Sequence, residues 1–351
     1  MSEQLLGPRE LNRALFARQL LLERRTMPLG RALERIDGIQ AQFAPSMSGG
    51  AARVTTAVEL PAASVEHPAR RTGHPPDLPP TRDWASPMRC NGVELNVEQA
   101  GEGGPVLLLH GFPDSAQLWR NQIPVLAQAG HHVIAPDLPG YGASEAPGEV
   151  ESYRLQNVVK GVVELLDQLG IERTAVVGHD WGAAAAWGMA SLVPDRVERL
   201  VALSVGHPAV PRTLEQMRSF WYMLLFQYPE AEELLSEDDW SLFRRWMEGA
   251  EDLDRYLSDL ARPRRLTAAL NWYRANLTAR SFVNGAGLPP VTCPTLGAWS
   301  AHDFVCTEQQ MLDSEDYVSA PWRYEHIDGA GHWIPLAAPE RLNKLLLGFL
   351  G

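Results

Sequence analysis

The sequence predicts an α/β protein in which a mostly parallel sheet carries helices on both faces. From about residue 87, short apolar runs rich in Val, Ile and Leu alternate with amphipathic helical segments. Strands that alternate with helices of this length usually form a parallel sheet with both faces covered. Between 207 and 285 the pattern becomes purely helical and rich in Trp and Tyr, and strand-like runs return after it. This order predicts one sheet with a helical insertion between two of its strands.

Each element of the sheet region follows from its local pattern. The helix predicted at 153–169 places Leu155, Val158, Val162 and Leu166 on one side, as expected of a helix that packs on a sheet. The other predicted helices cover residues 115–129, 183–193 and 338–350. The predicted strands cover residues 91–100, 105–110, 131–137, 174–179, 197–205, 293–299 and 323–327.

The first 86 residues have a different character. Residues 1–43 contain two helical patterns in which Leu alternates with Arg and Glu, so we expect a helical N-terminal extension. Residues 44–86 are rich in Pro, Gly and Ala, and such a stretch cannot bury enough apolar area to offset the entropy of ordering it. We expect a flexible linker there. The sheet region should then comprise 87–206 and 286–351, on either side of the insertion at 207–285.

The composition limits the possible partners. The 351 residues carry a formal net charge of −12, which disfavours binding to nucleic acid or to an anionic membrane. The cysteines, Cys90, Cys293 and Cys306, are odd in number and lack metal-ligand spacing, so neither a disulfide framework nor a metal site is expected. No apolar run approaches the roughly 20 residues that span a bilayer, and the N-terminus lacks the pattern of a signal peptide. We expect a cytoplasmic protein.

The segment Gly178-His179-Asp180-Trp181-Gly182 is the clearest indication of chemistry. It lies between a predicted strand and a predicted helix, which is the setting of a nucleophile elbow, with Asp where many hydrolases have Ser. The glycines are needed because so tight a turn leaves no room for Cβ atoms two residues on either side of the nucleophile. The turn also directs the N–H of Trp181 at an oxyanion. An Asp that only caps the next helix is the alternative interpretation.

A second backbone donor for the oxyanion is expected in the segment His110-Gly111-Phe112-Pro113, which follows an early strand. Enzymes with this kind of elbow place the second donor in such a loop, and the N–H of Phe112 is the candidate. His110 is interpreted as a structural residue that bonds a neighbouring loop. The sequence therefore predicts an oxyanion hole formed by Phe112 and Trp181.

An acid and a histidine follow the nucleophile along the chain. Asp303 comes after the strand predicted at 293–299, and His332 comes after the one at 323–327. The order nucleophile, acid, histidine is that of the α/β-hydrolase fold, and sites in open parallel sheets form beyond strand ends. Asp303 as a helix cap and His332 as a packed loop residue are the alternatives. We expect His332 to act as a base that Asp303 orients.

Six segments together resemble the epoxide hydrolase branch of the α/β-hydrolase superfamily: HGFPDSAQLW, DLPGYGASEAP, GHDWGAAAAW, FQYPEAEELL, NWYR and GAGHW. The resemblance covers about residues 88–351. It implies an α/β-hydrolase fold with a helical lid inserted after the sixth strand. It also implies that Asp180 attacks an epoxide carbon, that His332 and Asp303 activate water, and that neither a cofactor nor a metal takes part.

The same resemblance assigns two lid tyrosines to the epoxide oxygen. Tyr273 lies in the NWYR segment and Tyr222 precedes the FQYPE segment by four residues, while Tyr228 inside that segment competes for the first position. A tyrosine hydroxyl with a pKa of about 10 can donate a strong hydrogen bond or a proton to an opening alkoxide. The substrate is expected to be a small apolar epoxide, with Trp181, Phe112 and Tyr228 among its contacts.

Other functions stay open at the level of the sequence. A haloalkane dehalogenase has the same nucleophile and base, and Trp181 could then bind the halide. Part of the N-terminal extension, LNRALFARQLLLERRTMPLGRALERIDGIQAQ, resembles the first helices of a winged-helix family that includes DNA-glycosylase-like proteins. That family's domain is much longer, so nucleic-acid binding is a remote alternative, and a helix that docks on the chain or forms a homodimer is another.

Overall fold

A computed structural model describes the protein over residues 87–351. The helical extension predicted at 1–43 and the linker predicted at 44–86 lie outside the described residues. Within the described part, the strands in chain order are β1 (Met88–Cys90), β2 (Val93–Leu95), β3 (Val97–Ala100), β4 (Gly104–Leu109), β5 (His131–Pro136), β6 (Thr174–His179), β7 (Val197–Leu203), β8 (Thr295–His302) and β9 (Trp322–Gly331).

Seven strands of the described region form the main sheet, in the order β3-β5-β4-β6-β7-β8-β9. β3 is antiparallel to β5, and every other neighbouring pair is parallel. β1 and β2 form a separate antiparallel pair. The central strand β6 is buried along its whole length, as expected of a strand covered by helices on both faces. The prediction of a mostly parallel sheet is confirmed.

The α-helices between residues 87 and 351 are α1 (Ile123–Gln128), α2 (Leu155–Gln168), α3 (Trp181–Leu192), α4 (Leu214–Ser219), α5 (Trp221–Leu225), α6 (Ala231–Trp246), α7 (Leu253–Leu260), α8 (Arg265–Asn276), α9 (Ala279–Asn284), α10 (Glu308–Leu312), α11 (Ile334–Ala337) and α12 (Pro339–Leu350). Short 3-10 helices cover Ala116–Trp119, Val150–Tyr153, Pro194–Arg196 and Asp313–Tyr317. None of the helices in this part of the chain is long and apolar enough to cross a membrane.

Helices α4 to α9 form the helical insertion between β7 and β8. The insertion follows the seventh described strand, which is the fifth of the main sheet, rather than the sixth strand that the resemblance implied. The sequence pattern predicts five strands before the insertion, and the structure has seven because β1 precedes the segment at 91–100 and because that segment is divided between β2 and β3 at Asn96. The N–H of Asn96 donates to Oγ of Ser144 and its side chain donates to Asp137, so it bonds a loop instead of a strand.

The helix predicted at 115–129 is shorter than expected and is replaced in part by a 3-10 turn. Ser115 caps that turn by accepting the N–H of Gln117, and α1 begins only at Ile123. Pro124 stands in the first turn of α1, where its missing N–H does not interrupt the helix. The local chemistry of a cap and a proline therefore divides one apolar pattern into two elements.

Candidate active site

Asp180 lies at the turn between β6 and α3, at the carboxyl end of the central strand. Its backbone angles, φ 53° and ψ −121°, fall in a region that residues with a side chain rarely adopt. A Cβ atom at Gly178 would collide with the backbone of Gly182, and a Cβ atom at Gly182 would collide with the carbonyl of Leu109. The Asp180 side chain makes no hydrogen bond that caps α3. The turn therefore directs the carboxylate away from the end of α3, and the helix-cap interpretation is wrong.

A backbone N–H group holds one oxygen of this carboxylate. Phe112 donates its N–H to Oδ1 of Asp180 at 2.7 Å, in the position expected of an oxyanion donor. Gly111 leaves room for this contact, because a Cβ atom there would collide with the Asp180 side chain and would lie 2.7 Å from the nitrogen of Trp181. Oδ1 and the Trp181 nitrogen are therefore close neighbours beside the Phe112 donor.

His332 lies directly after β9 and connects two carboxylates. Its Nε2 atom is 3.7 Å from Oδ2 of Asp180, and its Nδ1 atom is 3.1 Å from both oxygens of Asp303. Asp303 also accepts the backbone N–H groups of Val305 and Cys306, each at 2.8 Å, so this one side chain closes a turn and orients the imidazole. Three side chains from three strand ends thus form one continuous series of contacts.

The two carboxylates determine the charge of His332. Burial by itself would lower the pKa of His332, but the charges of Asp303 and Asp180 raise it to about 10. Burial would likewise raise the pKa of Asp303, yet its interaction with His332 lowers it. The neighbouring His179 is neutral, because burial and the charge of His332 lower its pKa to about 4. At neutral pH the site therefore holds an imidazolium between two carboxylates.

Ser204 belongs to this site although the sequence did not indicate it. It follows β7, and its Oγ atom lies 2.9 Å from Nδ1 of His332 and donates a short hydrogen bond to Oδ2 of Asp303. Its φ of 70° is a value that usually belongs to glycine. A serine in the segment LSVGHP has no distinctive motif around it, so only the backbone conformation reveals the contact.

Tyr222 and Tyr273 come from two helices of the insertion, α5 and α8. Both are buried, each with 2% of its surface exposed, and their ring centroids are 5.7 Å apart. Burial, together with nearby charges that include Asp180, raises the pKa of both hydroxyls well above the usual range. Both side chains therefore stay protonated and can donate hydrogen bonds.

A cavity of about 390 Å³ connects these groups. Asp180, Trp181, Tyr222 and Tyr273 all line it, together with apolar side chains. The Trp181 ring packs edge-on against Tyr273, with 5.1 Å between centroids. Tyr228, the competing tyrosine, is not among the lining residues. Tyr222 and Tyr273 therefore share one cavity wall with Asp180, and Tyr228 is not part of that wall.

Phe112 and His110 frame the site without lining the cavity. The Phe112 ring packs edge-on against Tyr273, with 5.6 Å between centroids, so Phe112 offers its backbone N–H to the site rather than its side chain. His110 accepts the backbone N–H of Leu138 at 2.9 Å, which is the bond to a neighbouring loop that the sequence led us to expect. Burial lowers the pKa of His110, which favours the neutral ring that accepts this bond.

The described residues offer no evident metal centre. Within residues 87–351, no group of three or more His, Cys, Asp or Glu side chains is placed to hold a metal ion. The chain's cysteines, Cys90, Cys293 and Cys306, are all buried and form no disulfide. Cys306 lines the cavity, and burial raises the pKa of its thiol well above the usual range, so the sulfur is a neutral part of the wall.

Comparison with known proteins places this geometry in a family. A sequence model described as the alpha/beta hydrolase fold matches residues 104–339. The chain is 37% identical over 310 residues to epoxide hydrolase A of Mycobacterium tuberculosis. The alignment covers 74% of this chain and 95% of that protein. Among solved structures, epoxide hydrolase A from Mycobacterium thermoresistibile aligns with a TM-score of 0.63 and 33% identity, over 76% of this chain and 97% of that one. A structure of novel epoxide hydrolases from metagenomes of hot environments aligns with a TM-score of 0.68 and 29% identity, over 76% and 98% of the two chains.

The matched range 104–339 contains the elbow, the whole helical insertion, Asp303 and His332. Fold and site therefore agree on one class of enzyme, the α/β-hydrolases. Within that class, the epoxide hydrolase A of Mycobacterium tuberculosis and the two solved epoxide hydrolases named above each align over 95% or more of their own length. The chain belongs to the epoxide hydrolase branch of the α/β-hydrolase superfamily.

Proposed function

We propose that this protein hydrolyses epoxides to vicinal diols through an ester of Asp180. The observation that carries the proposal is the presence of two buried, protonated tyrosines in the cavity that holds the Asp180 carboxylate. A carboxylate can attack an sp3 carbon and form an alkyl ester, and the tyrosine hydroxyls are donors for the epoxide oxygen that leaves. The relatives named as epoxide hydrolases support the same reaction.

The first chemical step is alkylation. Oδ1 of Asp180 is already bound by the N–H of Phe112, which leaves Oδ2 to form the new bond to carbon. The epoxide C–O bond breaks, and the oxygen takes a proton from Tyr222 or Tyr273, which solvent later restores. Preorganised donors of this kind are most effective in a buried site, because water does not compete for the developing charge.

The second step is hydrolysis of the ester. Water gives a proton to His332 and adds to the carbonyl carbon of Asp180, and Asp303 stabilises the imidazolium that forms. The oxyanion develops on Oδ1, where the N–H groups of Phe112 and Trp181 bind it. Collapse of this intermediate breaks the ester C–O bond, and the leaving alkoxide takes the proton that His332 holds, which gives the diol. The new carboxyl group then loses its proton to His332, which restores the Asp180 carboxylate beside an imidazolium. Asp180, His332 and Asp303 would thus act as a catalytic triad.

The helical insertion would act as a lid over this site, within the predicted bounds 207–285. Its contribution is direct, since Tyr222 and Tyr273 both come from it. The apolar walls of the cavity suit a small epoxide with an apolar body. The buried, unpaired cysteines fit a reducing compartment, which supports the expectation of a cytoplasmic protein.

The proposal is tested by offering styrene oxide and a 1-haloalkane in parallel and measuring diol and halide. Tyr222→Phe with Tyr273→Phe should nearly stop diol formation, because loss of one preorganised donor alone costs about 10²- to 10³-fold in rate. Tyr228→Phe is the matched control, since that tyrosine does not line the cavity, and it should keep wild-type rates. Near wild-type epoxide opening by the double variant would sink the mechanism.

Haloalkane dehalogenation is the second candidate, because Trp181 lines the cavity beside Asp180 and its indole N–H could bind a halide. In that case the wild-type protein would release halide and form little diol. Trp181→Phe would then be severe and the tyrosine variants mild. The tyrosine pair favours the epoxide reaction, because two protonated hydroxyls assist an oxygen leaving group.

A further inference from the structure

Arg212 is a charged residue in the cavity that the proposed reaction does not use. It lies between β7 and α4 and lines the same cavity as Asp180 and Tyr222. Its guanidinium donates a short hydrogen bond to the carbonyl of Ser281, and its Cζ atom lies 5.5 Å from the ring centroid of Phe220. Its Nε atom is buried and has no hydrogen-bond partner. At least one N–H donor of the Arg212 guanidinium group, that of Nε, is therefore unused.

Other partly buried arginines of this protein are paired with carboxylates. Arg255 lies 2.6 Å from Asp114, and Arg274 lies 2.6 Å from Glu232. Among residues 87–351, no Asp or Glu side chain comes within ion-pair distance of Arg212. Arginine does not lose its proton in proteins, and a buried charge without a counter-ion costs free energy. The guanidinium group of Arg212 therefore has no ion-pair partner among the described side chains, although it lines the cavity.

A second polar group with unused capacity lines the same cavity. Gln310 has 5% of its surface exposed, and its Oε1 atom is buried without a hydrogen-bond partner. The oxygen and nitrogen of such an amide exchange places by rotation, so Gln310 can offer N–H groups to a ligand. A cation and an amide donor with free capacity are the usual partners of a carboxylate.

We propose that the preferred substrate carries a carboxylate in addition to its epoxide ring, and that Arg212 binds this carboxylate with Gln310 as a second donor. This inference rests on the proposed epoxide hydrolysis and specifies its substrate class as epoxy acids. Phe220 connects Arg212 with Tyr222: its ring centroid lies 5.5 Å from Cζ of Arg212 and 6.1 Å from the ring centroid of Tyr222. The acid group therefore binds on the Tyr222 side of the epoxide, which favours acids in which few atoms separate the two groups.

The test compares 3-phenylglycidate with its primary amide, which has the same shape and no charge. Wild-type protein should hydrolyse the acid with a kcat/KM about 10- to 100-fold higher, the range expected for hydrogen bonds to a charged group. Arg212→Gln should remove this preference, because it should lower kcat/KM for the acid far more than kcat/KM for the amide. Arg154→Gln is the matched control: Arg154 lines the same cavity but is exposed and paired with Glu151 at 2.5 Å, so the preference should persist.

Each contrary result identifies what failed. Equal hydrolysis of acid and amide by wild type overturns the carboxylate site and leaves the proposed function intact. If Arg212→Gln slows both substrates alike, Arg212 acts on Tyr222 or on the fold, and the inference is overturned. If neither epoxide is hydrolysed and styrene oxide is not opened either, the proposed function fails, and calorimetric binding of the corresponding dihydroxy acid then tests the carboxylate site by itself. Binding that is weakened in Arg212→Gln supports the site, and equal binding of the dihydroxy acid and its amide overturns it.

Discussion

The charge of His332 should depend on Asp180, and this dependence is measurable. Nε2 of His332 and Oδ2 of Asp180 are 3.7 Å apart, and both residues are buried. Asp180→Asn keeps the shape of the side chain and removes its charge. Loss of a negative neighbour disfavours the protonated imidazole, so the pKa of His332, which lies at about 10, should fall in this variant.

The size of the fall follows from the distance. Two unit charges 3.7 Å apart interact by about 4.5 kcal/mol at an effective dielectric constant of about 20. Since about 1.4 kcal/mol corresponds to one unit of pKa, the pKa of His332 should fall by about 3. Asp303 stays in place at 3.1 Å from Nδ1, so the imidazole keeps one counter-ion and its pKa should settle at about 7 rather than lower.

The same loss of charge takes place in the proposed reaction when Asp180 becomes an ester. In the free protein His332 is protonated and cannot accept a proton from water. Once the ester has formed, the pKa of His332 falls toward neutrality. His332 can then accept a proton from water in the step that needs a base. Asp180 would therefore serve as the nucleophile and also as the group that switches His332 between its two states.

Titration of the histidine ring nitrogens by NMR measures this effect, and the spectrum of His332→Gln assigns the signal. Asp328→Asn is the control, because Asp328 is exposed and contacts His326 at 3.4 Å. It should leave the pKa of His332 unchanged. Mass spectrometry should confirm that the new amide at position 180 is intact during the titration. A His332 that titrates in Asp180→Asn within about one pKa unit of wild type would refute the reasoning.

Three further predictions concern single steps and segments. His332→Gln should permit attack by Asp180 and block ester hydrolysis, so mass spectrometry should find a stable adduct on the peptide that contains Asp180; an unmodified peptide from the folded variant would remove His332 from the second step. Ser204→Ala and Ser204→Gly should both slow ester hydrolysis about 10- to 100-fold in single-turnover kinetics, since a hydrogen bond to a charged group contributes about 1.5–3 kcal/mol. The glycine variant should be the more stable of the two, because alanine is strained at positive φ, and wild-type rates in both would contradict the role of the hydroxyl. Deletion of residues 1–80 should leave kcat largely unchanged, and a large loss would show that this segment acts on the site.

Asp180, Asp303 and His332 could be predicted from the sequence because the chemistry and the fold constrain them together. The elbow needs glycines at fixed positions, and Gly178 and Gly182 show why, since neither has space for a Cβ atom. A parallel sheet brings the carboxyl ends of its strands to one edge. Residues that follow three separate strands can therefore be expected to meet, even though about 150 positions separate the first from the last.

The limits of individual elements were less predictable, because they depend on contacts distant in sequence. Asn96 divides an alternating pattern into β2 and β3 because it bonds Asp137 and Ser144. In the insertion, α6 is interrupted over Glu237–Trp240, where Asp238 and Asp239 have positive φ. No glycine or proline marks this interruption, so the helical pattern of the sequence continues across it.

The roles of Ser204 and Arg212 could not be predicted from the sequence, and the physical reason is the same for both. Neither belongs to a motif, and the importance of each depends on its position in the fold. A positive φ places Ser204 at the His332–Asp303 pair. Arg212 lies on the cavity wall without an ion-pair partner among the described residues. Motif residues perform the chemistry that relatives share, so family membership bears mainly on the reaction. The orientation of the base and the proposed choice of substrate depend in addition on residues outside the motifs. Variants at Ser204 and Arg212 therefore test the parts of the site that the sequence motifs do not reveal, while variants of the triad test the reaction itself.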